Sequence, residues 1–203
     1  IVLGGRSATG LFGFLLNADS AEATGFEIES ALDVADDFRI TAALSYVDAK
    51  LTADAPANRA SSTLSRSGLD GDALPDVADW TFNTSAEYGQ QFPWFGGVRG
   101  YVYLNANYTG ESAADFNPFL LDINTLVPTT TPNSSYNKQG DYVIVDLRLG
   151  IEADDWSASL FLDNVFDERG PSHVFEDGTF RLDPGLNFIE RPRTFGISFD
   201  KDF

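Results

Sequence analysis

The chain has no cysteine, no methionine and a single histidine in 203 residues. Without Cys there is no disulfide framework, no thiolate zinc site and no Cys nucleophile. Without Cys, Met or a second His, a soft-metal or haem site cannot be assembled from this chain alone. Basic residues are scarce too: 13 Lys and Arg stand against 31 Asp and Glu, a formal net charge of −18. A nucleic-acid binder needs a basic face, so the balance argues against that class. Acidic residues in loops or an aqueous interior are still compatible with a membrane protein. Long apolar runs are also missing. The longest, about Leu11–Leu16, is broken by Gly13 and falls far short of the ~18 residues of a membrane-spanning helix. If the chain meets lipid, it does so as strands. With no Met, and opening on Ile1-Val2-Leu3-Gly4-Gly5, it is expected to be a processed or partial product.

What is present is period-two alternation. Phe26, Ile28 and Leu32 alternate with Glu27, Glu29 and Asp33 in a first strand expected over about residues 11–33, closed by a turn at 34–37. Phe38, Ile40, Ala42, Leu44 and Tyr46 alternate with Arg39, Thr41, Ala43, Ser45 and Val47. The pattern returns at 80–88, 98–108, 142–151, 156–164 and 194–203, so seven strands are expected. The last has Phe195, Ile197, Phe199 and Phe203 on one face.

The connections alternate short and long: 34–37, then about 52–76, 90–97, 110–140, 154–155 and 167–192. A soluble sandwich, the rival on alternation alone, has short connections at both ends. Short turns at one end and long loops at the other is the outer-membrane pattern. Phe38 and Tyr46 bracket one apolar face, and Trp80 and Tyr88 another, each pair eight residues apart. At a tilt near 40° that spans about 20 Å, close to the apolar band between aromatic girdles. A chain ending on Phe203 fits a strand leaving lipid at such a girdle. The expected fold is therefore all-β, an antiparallel transmembrane β-barrel. The opposite faces carry Glu27, Glu29, Arg39, Glu87, Arg99, Asp146 and Arg148, which need water or partners. Those groups would line a lumen too wide for a seven-stranded barrel, so the chain is expected to be the C-terminal part of a larger one.

Chemical signals are few. His173 stands alone in a loop, and Ser172-His173 has no triad spacing. Asp70-Gly71-Asp72 reads either as hard oxygen ligands for Ca²⁺ or as a solvated turn. The loops carry Phe116, Phe119, Tyr136, Phe175, Phe180 and Phe188. These rings either stack on a sugar or aryl ligand or pack loop against loop, packing being the simpler account. No catalytic, cofactor or metal residues are assigned, and no enzyme activity is expected.

Several segments, in order, carry a resemblance. Asn164-Val165-Phe166-Asp167 ends a strand, and Arg191-Pro192-Arg193-Thr194-Phe195 opens the last one, which finishes on Phe203. Upstream are Asn17-Ala18-Asp19 leading to Gly25-Phe26-Glu27-Ile28-Glu29, then Ser45-Tyr46-Val47-Asp48-Ala49. Leu74-Pro75-Asp76-Val77-Ala78-Asp79-Trp80 and Tyr108-Thr109-Gly110-Glu111 follow. Together they resemble the C-terminal barrel region of TonB-dependent outer-membrane receptors. Ala78 stands where that family usually has Pro, and Lys201 where it usually has an apolar residue.

The resemblance implies a 22-stranded barrel, of which residues 1–203 are the C-terminal portion and from which the plug domain and the TonB box are missing. It implies active uptake of a scarce bulky nutrient (ferric siderophore, haem, cobalamin or oligosaccharide) across the outer membrane of a Gram-negative bacterium. The implied partners are outer-membrane lipid, a TonB-type energy transducer reached through the missing N-terminal region, the barrel-assembly machinery gripping Phe203, and the transported ligand. A non-transporting adhesive or scaffolding β protein is the alternative.

Overall fold

The computed structural model describes residues 2–6, 13–17, 20–55, 63–134, 136–175 and 186–202. Seven strands form one antiparallel sheet: β1 (Ala21–Ala35), β2 (Phe38–Leu51), β3 (Trp80–Phe92), β4 (Val98–Thr109), β5 (Tyr142–Glu152), β6 (Trp156–Asp163) and β7 (Thr194–Lys201). Each pairs with its neighbours in sequence, so the sheet is an unbroken meander with β1 and β7 at its edges. No helix among the described residues is long and apolar enough to cross a membrane. That has no bearing on crossing by strands.

The register makes the alternation of single strands continuous across the sheet. Phe38 lies opposite Tyr88, Leu44 opposite Phe82 and Tyr46 opposite Trp80. Farther along, Leu104 faces Leu147, Leu147 faces Leu162, and Leu162 faces Phe195. One face is thus apolar from edge to edge. It is also the open face: Leu160 is 54% exposed, Ile197 76% and Phe195 83%. The residues with little exposure are instead at the long-loop end, where Leu51 and Ala55 form a small core with Ala21, Leu74 and Phe116 packed on it. A sandwich would bury the apolar face of its sheet; this sheet presents it. The hydroxyl of Thr84, in the middle of that face, donates to the Thr41 carbonyl at 2.9 Å, which satisfies it without water.

Aromatic side chains cluster at both ends of the apolar face. Near the long loops, Phe26, Tyr46 and Trp80 touch, with ring centroids 4.6–6.0 Å apart. Near the short turns lie the opposed Phe38 and Tyr88, the Phe92–Trp94 pair at 5.6 Å and the stacked Trp156–Phe199 pair at 6.3 Å. The turn after β3 is a single 3₁₀ turn, Pro93–Phe95, followed by Gly96 and Gly97 at φ +77° and +81°. These are angles that glycine adopts without strain.

Two boundaries differ from expectation. The first strand does not begin near residue 11: Leu11 lies outside the described residues, and Gly13–Asn17 pairs with Val2–Arg6 as a separate hairpin. Phe14, Leu15 and Leu16 follow one another without alternation, so the segment has no single face to continue that of β1. At the other end β1 runs through Val34 to Ala35, with a register shift between Asp33 and Ala35, and only Asp36 and Asp37 turn.

Candidate functional site

The face opposite the apolar one is polar, and its side chains are organised in belts. Nearest the short turns, Arg99 on β4 bridges Glu87 on β3 at 2.5 Å and Glu152 on β5 at 3.2 Å. Gly89 makes room for the guanidinium, which also lies 5.6 Å from the Tyr101 ring centre. Farther up, Thr41 and Ser85 share a 2.6 Å hydrogen bond. Asn83 donates to Asn105 at 3.0 Å and to Asn107 at 2.5 Å. Glu27 and Glu29 flank this amide cluster across a concavity of about 270 Å³ that Ser45, Thr81 and Thr109 also line.

Arg39 shares a face with Glu27 and Glu29 but pairs with neither; its contact is Asp33, at 3.8 Å, directly opposite in register. Asp146 and Arg148 lie on this same polar face of β5, while Val145 and Leu147 are matched to Ala106 and Leu104 on the other. Asp146 accepts a hydrogen bond from the Asn164 backbone at 2.9 Å. Among the described residues no ion pair engages Glu27, Glu29 or Arg148.

The long-loop end has structure that the sequence did not announce. Phe119–Asp122 pairs with Pro128–Pro132 and with Leu64–Ser65, and Ser112–Ala113 pairs with Lys138–Gln139. Phe116 packs on the Leu51–Ala55 core and against Gly68. Phe119 is 43% exposed, and Tyr136 is half-buried. Phe175 is described by its backbone, which pairs with Leu186. Phe180 and Phe203 lie outside the described residues.

Asp72 accepts from the Leu69 backbone at 2.7 Å and from Asn117 at 2.9 Å, while the Asp70 backbone donates to Asp54. Asp70-Gly71-Asp72 is thus a hydrogen-bonded turn. No metal-binding cluster of His, Cys, Asp or Glu occurs among the described residues. Burial pushes the Asp115 carboxyl above its usual range, against the opposing pull of Asn133 and the Phe116 backbone. Asp122 is held below the usual range by N–H bonds from Thr125 and Asn124. The residue that sequence reasoning most undervalued is Asn164, 3% exposed at the end of β6. The sequence marked it only as the first residue of Asn164-Val165-Phe166-Asp167, a segment of the resemblance with no role attached to it.

The family described as TonB dependent receptor-like, beta-barrel matches residues 2–165. The chain belongs to that family. Its members are transport receptors and not enzymes. Among solved structures, the ferric yersiniabactin uptake receptor FyuA from Yersinia pestis is similar with a TM-score of 0.68 and 21% identity, over 94% of this chain and 25% of that receptor. The siderophore receptor PiuA from Acinetobacter baumannii is similar with a TM-score of 0.63 and 15% identity, over 97% of this chain and 23% of that one. At these identities the likeness shows the fold. The chain spans about a quarter of the length of both receptors. No curated protein matches it.

Proposed function

We propose that this chain is the C-terminal wall of a TonB-dependent receptor barrel that imports a bulky nutrient across the outer membrane of a Gram-negative bacterium. The observation that carries the reading is the continuous apolar face, open from β1 to β7, with aromatic clusters at both of its ends. Such a face is unfavourable in water and suited to hydrocarbon. In this reading the opposite face lines the lumen. Glu27, Glu29, Arg39, Asp146 and Arg148 meet water or the plug, which a preceding part of the polypeptide supplies. The sheet edges at β1 and β7 pair with further strands, because an unpaired edge in lipid costs several kcal/mol per unsatisfied group. Phe203 offers the assembly machinery its grip, and the energy transducer engages the N-terminal region.

A ferric siderophore is the favoured cargo, since both similar receptors are named for siderophores. Haem, cobalamin and oligosaccharides are the competing classes. Deleting the complete gene and measuring uptake of labelled ferric siderophores under iron limitation tests the proposal. Loss of uptake of one siderophore, restored by the gene but not by a copy lacking the TonB box, supports it. Unchanged uptake of ferric siderophores in the deletion strain, and of haem, cobalamin and oligosaccharides assayed alongside, with the wild-type protein present at the cell surface, would favour the adhesive or scaffolding alternative.

A further inference from the structure

We propose that Asn164 and Asp167 form a clasp that closes the neck of the last long loop, so that β6 and β7 keep their register whatever the loop beyond the neck does. The need for such a device is visible in the strand lengths. β6 and β7 have 8 residues each, against 11–15 in the other wall strands. They are joined by residues 164–193, so their pairing bears a long loop-closure entropy with few ladder bonds to offset it. A slip of one residue would turn Phe195, Ile197 and Phe199 to the polar face.

Asn164 sits at φ +51°, in a left-handed conformation that Asn tolerates better than most residues. Its backbone N–H is held by Asp146 of β5 at 2.9 Å. Its side-chain oxygen accepts from the Glu168 backbone at 2.8 Å. Its amide donates to the carbonyls of Glu168 and Arg191, both at 2.8 Å. One buried amide therefore joins the outgoing and returning limbs of the loop to each other and, through the backbone, to the wall.

Asp167, at φ +54°, makes the second tie. Its backbone donates to the Asn164 carbonyl at 2.9 Å, and its carboxylate accepts from the Arg193 backbone at 3.0 Å and from Arg169 at 3.2 Å. Those bonds hold the Asp167 carboxyl below its usual range. Val165 donates to the Val145 carbonyl at 2.7 Å, and Glu190 to Gly170 at 3.1 Å. The Tyr142 ring covers Gly170 while its hydroxyl reaches Glu190 at 3.1 Å. Every one of these contacts lies below the hairpin Pro171–Phe175/Leu186–Ile189, so none needs the loop beyond the neck.

The test uses the complete receptor in outer membranes. In one gene residues 171–189 are replaced by a short Gly-Ser linker. In others, with the loop intact, Asn164→Gly keeps the backbone angle but removes the amide, and Asn164→Asp keeps an acceptor but removes both donors. The clasp predicts that the loop-excised receptor reaches the membrane within about twofold of wild type, and that both Asn164 variants fall several-fold, about fivefold or more. A second readout covers the variant molecules that do insert. Ser159 and Ser198 are register partners, so a Ser159→Cys, Ser198→Cys pair should cross-link efficiently in the wild-type and loop-excised backgrounds and poorly with Asn164→Gly. Failure of the loop-excised receptor to assemble, or wild-type levels and cross-linking in both Asn164 variants, would overturn the proposal. None of these readouts depends on which nutrient is carried.

Discussion

The ring of Tyr101 occupies the space in which a β-carbon on Gly150, its register partner on the next strand, would have to sit. Phe161 stands in the same relation to Gly196. Both pairs lie on the polar face, where a large ring laid over a bare backbone shields ladder hydrogen bonds without another side chain. Replacing Gly150 with Val should expel the ring and cost about 1–3 kcal/mol, the usual penalty for overpacking. Heat-modifiability of the assembled barrel on gels reads the change as a lower unfolding temperature. An unchanged temperature would mean that Tyr101 has room to move.

Two loop phenylalanines should behave differently although the sequence presents them alike. Phe116 packs on Leu51 and Ala55, so Phe116→Ala should loosen the loops by about 2 kcal/mol or more. Faster proteolysis between residues 110 and 141 would report it. Phe119 is exposed, so Phe119→Ala should leave proteolysis unchanged and weaken ligand uptake. Equal proteolysis of both variants would contradict the distinction.

The Asp115 carboxyl is raised, first by burial. An acid raised by folding binds its proton more readily in the folded chain than in the unfolded one. Its contribution to stability is therefore best below the unfolded value, declines as pH rises toward the folded value, and stays lower above it. Relative to Asp115→Asn, the wild-type loops should become easier to proteolyse as pH rises from about 4 to about 7. A difference independent of pH would show that the acid is not strained by burial.

The wall was legible in the sequence because period two and one-sided apolarity are properties of each strand alone. Phe38 to Tyr46 and Trp80 to Tyr88 needed only to be read, and the register then placed their ends opposite each other. The start of β1 was not legible, since Leu11–Leu16 carries no alternation. The loop-end sheets were hidden for a related reason. Strands of two to five residues, two of their ends at Pro128 and Pro132, are too short to show a period. The Asp33 contact of Arg39 was not legible, because pairing follows register, and register brings Asp33 opposite it while Glu27 and Glu29, on the same face, lie farther up the strand. Asn164 stood out only as part of the Asn164-Val165-Phe166-Asp167 segment, and its role stayed hidden because its bonds reach residues up to 27 positions away.

The central claim is that one face of this sheet meets lipid and the other an aqueous interior. The chain contains no cysteine, so within it a spin label at a single introduced Cys reports one position cleanly. Labels at Val145→Cys, Asp146→Cys, Leu147→Cys and Arg148→Cys, and at Ile197→Cys and Ser198→Cys, would be read in the assembled receptor for access to oxygen and to a water-soluble nickel chelate. The account predicts strict alternation: positions 145, 147 and 197 open to oxygen and closed to nickel, and positions 146, 148 and 198 less open to oxygen. Nickel access at 145 and 147 with oxygen access at 146 and 148 would invert every face and contradict it.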